Sequence, residues 1–141
     1  MIRKEALVPQ FLFLGIDPGS SKTGLALVDI WGAIHKLHIA KTENLLDEIQ
    51  NFCGRENVAA IIVGNGTHSK DISKKIMDSM DLPIHSVEEA HSTEEARKLY
   101  WEVNPPRGLK FFVPRGLLVP AEPLDAYAAV VQVRRWLAKL N

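Results

Sequence analysis

Five acidic residues in this chain stand where a folded domain displays side chains for chemistry. Asp17 ends the apolar run 11–16 and is followed at once by the turn cluster Pro18-Gly19-Ser20-Ser21. A strand end holds a carboxylate on a rigid support, and a neighbouring glycine lets a ligand approach the backbone closely. Glu88 and Glu89 follow the apolar stretch 82–87, and the carboxyl ends of parallel strands are where open α/β sheets place ligands. Asp125 falls in the first turn of a C-terminal helical pattern, with Glu122 three residues earlier. Each position also has an ordinary role: a turn aspartate bonding its own loop, two solvated glutamates, and carboxylates that complement a helix dipole. Brought together, however, three carboxylates repel one another, and a divalent cation relieves that cost. Oxygen donors without a Cys or His cluster suit Mg²⁺ or Mn²⁺ rather than zinc. Such an ion polarises a phosphate and activates water for phosphodiester hydrolysis.

For these residues to converge, the elements carrying them must meet at one end of a sheet. Residues 11–16 and 23–30, joined by the turn after Asp17, read as two antiparallel strands, and 33–40 after Trp31-Gly32 as a third, forming a meander. Leu45, Leu46, Ile49 and Phe52 share one helical face, with Thr42 as candidate N-cap and Gly54 as the stop. The run VAAIIV, residues 58–63, predicts a strand buried on both faces, as a parallel sheet demands. Ile72, Ile76, Met77 and Met80 predict an amphipathic helix, and residues 82–87 a second buried strand. Ser92 with Glu95 matches a capping box opening a helix to about residue 102, and residues 123–140 form a long last helix. The proline-rich stretch 103–122 between them is too long for an inert connection. The expected fold is therefore α/β, with a mixed five-stranded sheet: an antiparallel three-stranded meander plus two parallel strands, flanked by helices. If the first strand lies centrally beside the strand at 58–63, Asp17, a Glu88 or Glu89 carboxylate and Asp125 converge at one sheet end.

Composition narrows the partners. Length (141 residues), hydrophobic content (46%) and charged content (24%) match one ordinary globular domain spanning residues 1–141 and exclude a disordered or fibrous chain. Lys plus Arg and Asp plus Glu both number 17, so nucleic-acid binding must come from a local patch. The single cysteine, Cys53, makes no internal disulfide and reads as a small buried apolar side chain in a reducing, cytoplasmic setting. Arg3 and Lys4 precede an apolar run broken by Pro9, Gln10 and Asp17, so neither a secretory signal nor a membrane span is expected.

The local patch is most evident in the long loop. Arg107, Lys110 and Arg115 stand beside Phe111 and Phe112, a mixture that contacts phosphates and stacks on unpaired bases. The equally weighted alternative packs the phenylalanines into the core and leaves the cations solvated. Lys22, in the turn after Asp17, is either a phosphate contact or a solvated turn lysine. Lys70, Lys74 and Lys75, and Arg134, Arg135 and Lys139, read as solvated helix faces. The five histidines form no metal-binding pattern and read as surface or hydrogen-bonded core residues, with a reach to a scissile phosphate as the lesser reading for His91, two residues after Glu89.

Four motifs carry a family resemblance. LGIDPGSSKTGLALVD, residues 14–29, resembles the opening strand-turn-strand of the RNase H-like nucleases, in the branch of the RuvC Holliday-junction resolvases and YqgF-type ribosomal RNA processing nucleases. IIVGNGT, residues 61–67, is similar to the glycine-containing strand end of the YqgF group, especially the YqgF-like domain of the transcription-associated Tex proteins. VEEAHST, residues 87–93, resembles the segment supplying the second acidic residue and favours Glu89 over Glu88. PLDAYAAVVQVRRWL, residues 123–137, looks like the final acidic helix, with the third carboxylate at Asp125. The motifs occur in the family's order.

The resemblance implies an RNase H-like fold and a metal-dependent endonuclease acting on branched DNA or structured RNA, as a Holliday-junction resolvase or in ribosomal RNA precursor processing. Asp17, Glu89 and Asp125 would be its catalytic residues and Mg²⁺ or Mn²⁺ ligands, and Glu122 stands where resolvases of the superfamily place a fourth carboxylate. Ala90 and His91 stand where YqgF nucleases carry an arginine, and a small residue there is a Tex-like trait. The alternative is thus a non-catalytic nucleic-acid-binding module like the Tex domain. A third reading takes DPGSSKTG as the phosphate loop of a sugar-kinase or actin-like ATPase, against which the chain length argues, since that fold needs two such domains. A resolvase making two symmetric cuts implies a homodimer, whereas a processing nuclease or binding module allows a monomer.

Overall fold

A computed structural model describes residues 11–66 and 68–140; Arg3, Lys4, Pro9 and Gln10, Thr67 and the Arg115 side chain lie outside the described residues. The strands are β1 (Leu12–Asp17), β2 (Lys22–Asp29), β3 (Ile34–Lys41), β4 (Val58–Gly64) and β5 (Ile84–Val87), in the spatial order β3-β2-β1-β4-β5. β1 pairs antiparallel with β2, and β2 with β3, while β1–β4 and β4–β5 are parallel. The mixed five-stranded sheet expected from the sequence is present, with β1 central and β4 beside it.

Alternation along the strands divides the core into two layers. Leu12, Leu14, Ile16, Leu25, Leu27, Ile61 and Val63 pack with α1 (Leu45–Cys53) and α2 (Ser69–Ser79). Phe13, Ala26, Val28, Ala60 and Ile62 pack with α3 (Ser92–Val103) and α4 (Asp125–Lys139). Both faces of β1 and β4 are covered, which is why these strands read as unbroken apolar runs. Cys53 is buried as expected, and its burial pushes the thiol pKa up to about 11. Among the described residues no helix is long and apolar enough to cross a membrane.

Local expectations fail at four places, each for a physical reason. Thr42 does not cap α1. Its hydroxyl donates to the Gly19 carbonyl (2.9 Å) and lies 2.8 Å from the Thr23 hydroxyl, tying the end of β3 to the turn after Asp17. A single 3-10 turn, Thr42–Asn44, then precedes the helix. The capping box at Ser92 and Glu95 is not formed either: Ser92 is the first helical residue, and His91 occupies the cap at φ 61° without a side-chain bond. The chain enters α3 through a tight left-handed turn in which the Ser92 N–H donates to the Glu89 carbonyl (2.9 Å), whereas a capping box needs an extended N-cap. Met77, assigned to the apolar face of α2, is 67% exposed, because Ile72 and Ile76 alone reach the sheet from this short helix. β5 begins at Ile84 because Pro83 has no N–H to donate, although its carbonyl accepts from Ile61 (2.9 Å).

Two substitutions on α2 separate its buried and exposed positions. Ile76→Ala should cost about 2–5 kcal/mol of stability and Met77→Ala no more than about 0.5 kcal/mol, read by urea unfolding. Equal losses at the two positions would contradict the packing described.

Candidate active site

Three parallel strands aim their carboxyl ends the same way, and the acidic residues collect there. Asp17 is the last residue of β1 and pairs with Gly24 of β2. Gly64 ends β4 beside it, and Glu89 lies two residues beyond the end of β5. α4 closes this end from above. A Cβ on Gly24 would be driven into the backbone of Asp125, so only glycine lets the first turn of α4 rest on β2.

Seven residues along the same helix, two turns further, Gln132 is fully buried and donates its Nε2–H to Asp17 Oδ1 at 3.0 Å. Glu89 is held from two sides. Its N–H donates to Asn65 Oδ1 (3.1 Å), and its carboxylate lies over Gly64, where an added Cβ would stand 2.5 Å from both Glu89 Oε1 and Gln132 Nε2. Arg135 anchors the loop carrying Glu89, donating to the Glu88 carbonyl (2.6 Å) and pairing with Glu95 (3.1 Å). Glu88 itself is exposed whereas Glu89 is half-buried, so the inward carboxylate of this pair is Glu89.

The electrostatics of the cluster are unbalanced. The Asp17 carboxyl pKa is raised from 3.8 to about 7, foremost by burial, which the Gln132 hydrogen bond partly opposes, and further by the neighbouring charges of Glu89 and Asp125. Glu89 Oε1 is buried with no hydrogen-bond partner, as is Gln132 Oε1. Among the described residues no Lys, Arg or His forms an ion pair with Asp17, Glu89 or Asp125. Buried acceptors without donors or counter-charge invite a cation, and an all-oxygen set fits Mg²⁺ or Mn²⁺. Among the described residues, no three His, Cys, Asp or Glu side chains already stand as a closed metal cluster. The fit therefore rests on donor chemistry and uncompensated charge.

The remaining expected site residues lie around this centre. Glu122 is exposed in the irregular stretch just before α4, and Lys22 is exposed at the start of β2. Arg107 and Lys110 are exposed in the loop between α3 and α4. His91 is exposed and is the one non-glycine residue at positive φ among the described residues. Arg135, read from the sequence as part of a solvated face, is instead half-buried and structural. Sequence reasoning missed Gln132, Asn65 and Arg135. Gln132 left a usable signal: it is a lone amide in the apolar run AAVVQV, two turns after Asp125.

A mixed sheet in this strand order, with carboxylates gathered at the end of its central strand, defines a nuclease-like domain of the RNase H-like class. Residues 12–139 match the family model described as "RuvX: Holliday junction resolvase", and the chain belongs to that family. No curated protein matches the chain. Solved structures similar to it include a ROK family transcriptional regulator, a homolog of the E. coli MLC protein, at 16% identity and a TM-score of 0.48, covering 63% of this chain and 30% of that one. Another is a ROK family glucokinase from Streptomyces griseus in complex with glucose and AMPPNP, at 18% identity and a TM-score of 0.44, covering 61% of this chain and 36% of that one. This chain spans about a third of the length of either structure.

The raised pKa of Asp17 has a signed consequence. Between about pH 4 and about pH 7 the folded protein keeps a proton on Asp17 that the unfolded chain has released, so stability falls as pH rises through that window. In EDTA, thermal unfolding from about pH 4 to about pH 8 should show this fall, and Asp17→Asn should flatten it and raise the midpoint above about pH 7. Parallel profiles for the two proteins would contradict the assignment. Gly24→Ala should destabilise the fold by about 1–3 kcal/mol, because its Cβ must displace the first turn of α4; denaturant unfolding reads this, and an unchanged midpoint would show that α4 does not rest on β2.

Proposed function

We propose that this chain is a divalent-metal-dependent endonuclease of the Holliday-junction resolvase type, hydrolysing phosphodiester bonds in branched DNA as a single cytoplasmic domain spanning residues 1–141. One observation carries the reading: in a RuvX-family fold, Asp17 and Glu89 are half-buried beside Asp125, and among the described residues no cation pairs with them. A Mg²⁺ or Mn²⁺ ion held by Asp17, Glu89 and Asp125, with Glu122 as a fourth carboxylate, would polarise the scissile phosphate and promote attack by water.

The chain's own residues prepare that site. Gln132 fixes the orientation of the Asp17 carboxylate through Oδ1, leaving Oδ2 for a ligand. Asn65 and Arg135 hold the segment that presents Glu89. Lys22, Arg107, Lys110 and Arg115 contact phosphates of the substrate, a local role consistent with a net charge of zero. Paired, symmetric incisions require a twofold homodimer with one such site in each copy.

The test is cleavage of a labelled four-way DNA junction and of structured RNA in Mg²⁺, Mn²⁺ and EDTA, with wild type beside Asp17→Asn and Asp125→Asn. Metal-dependent cutting of the junction should fall about a hundredfold or more in each folded variant. Preferential cutting of the RNA would move the substrate to ribosomal RNA precursors. Intact substrates in every metal, with binding that weakens as salt rises, would overturn catalysis in favour of a Tex-like binding module.

A further inference from the structure

The segment between α3 and α4 combines features that the acidic site does not use. From residue 103 to residue 121 it contains no Asp or Glu and three cations, Arg107, Lys110 and Arg115, in a chain whose overall charge is zero. Both ends are anchored on the α3–α4 pair. Asn104 Nδ2 donates to the Tyr127 hydroxyl (3.0 Å), two residues beyond Asp125, and the Ala121 N–H donates to the Tyr100 hydroxyl (3.2 Å). Leu118 is buried in the core and pins the segment between these anchors.

What the segment presents to solvent is aromatic at Phe111 and Phe112 and aliphatic at Leu109, Leu117 and Val119. Phe111 is 70% and Phe112 81% exposed, on a 3-10 turn spanning Gly108–Phe112, with ring centroids 5.6 Å apart and planes at 90°. Of the two evenly weighted readings of these phenylalanines, the one that packs them into the core is therefore not met: Leu118 is buried there instead and both rings are exposed. At the base of the segment lies a cleft of about 340 Å³ walled by Tyr100 and Trp101 and edged by Arg107 and Lys110, a size within the range of small-ligand pockets.

We infer that this segment binds unpaired nucleotides: the Phe111 and Phe112 rings stack on exposed bases while Arg107 and Lys110 hold the adjoining phosphates. Bases in continuous duplex are already stacked on their neighbours, so an aromatic pair gains contact only with bases that are unpaired or splayed open. A nucleic acid fits better than a protein partner, because the segment carries cations and no carboxylate. The segment runs into α4, whose first residue is Asp125. The inference rests on the nucleic-acid substrate proposed above and narrows it to substrates with unpaired nucleotides.

The experiment is equilibrium binding in EDTA to a single-stranded oligonucleotide carrying 2-aminopurine and to a continuous duplex of the same length. Wild type is compared with the double variants Phe111→Ala/Phe112→Ala, Phe111→Leu/Phe112→Leu and Phe111→Tyr/Phe112→Tyr, all with unchanged melting temperatures. Single-strand affinity should fall about tenfold or more in the Ala and Leu proteins and be retained in the Tyr protein, with duplex affinity unaltered. Quenching of 2-aminopurine should fall in parallel with affinity.

Leu variants that bind single strands as wild type does would overturn the inference and mark a general apolar docking surface. Equal losses on single strand and duplex would overturn it in favour of backbone contacts alone, and a wild type that binds neither would remove it. Phe-dependent single-strand binding without any junction cleavage would overturn the catalytic reading alone. Junction cleavage indifferent to both rings would overturn the role of the segment alone.

Discussion

The structure is organised around an unfavourable placement, the burial of the Asp17 carboxyl at the end of its central strand with two other carboxylates nearby. Asp17 is partly withdrawn from water, and Glu89 and Asp125 act on it through space, so its pKa rises to about 7. A hydrogen bond from Gln132 offsets part of that cost but does not remove it, and Glu89 Oε1 has no donor at all. Side chains in such a place lower the stability of the folded domain, which is the usual signature of residues retained for chemistry rather than packing.

The rest of the fold makes that concentration of charge possible. Parallel β1, β4 and β5 deliver their carboxyl ends to one side, and α4 crosses that end so closely that Gly24 has no room for a side chain beneath Asp125. Around the acids sits a ring of neutral and cationic anchors, with Gln132 on Asp17, Asn65 on the Glu89 N–H and Arg135 on the Glu88 carbonyl. None of these is an ion pair with an acidic site residue, so orientation is secured while the charge is left for a ligand. The cations that could meet a polyanion are set apart, in the segment before α4, where Arg107 and Lys110 flank the exposed phenylalanines.

A near-neutral protein can thus present both an anionic centre and a separate segment with cations and exposed aromatic rings. In the proposed reading, a divalent ion on the acids would let a phosphate approach, and the segment would supply affinity for the strand that carries it. That division of labour is consistent with membership in a family described by Holliday junction resolution.

Much of this was legible along the chain, because it depends on local pattern. Unbroken apolar runs specified β1 and β4 as strands covered on both faces, apolar patterns placed α1 and α4, strand ends singled out Asp17 and the Glu88–Glu89 pair, and a helix start singled out Asp125. What local pattern could not supply were the partners chosen across long separations. The Thr42 hydroxyl engages the turn after Asp17 rather than capping a helix, and Ser92 enters α3 beyond a left-handed His91. Gln132 meets Asp17 across 115 residues of chain. Whether Phe111 and Phe112 fill the core was undecidable from composition, since apolar residues serve equally well inside or on a binding face. Leu118 took the buried place because the anchors at Asn104 and Ala121 bring it, and not the rings, over the core. The sequence by itself determined which elements form and which residues carry charge to the end of the sheet. Only the tertiary structure decided which of those charges are shielded, held or left uncompensated, because solvation and hydrogen bonding belong to the assembled neighbourhood and not to the chain.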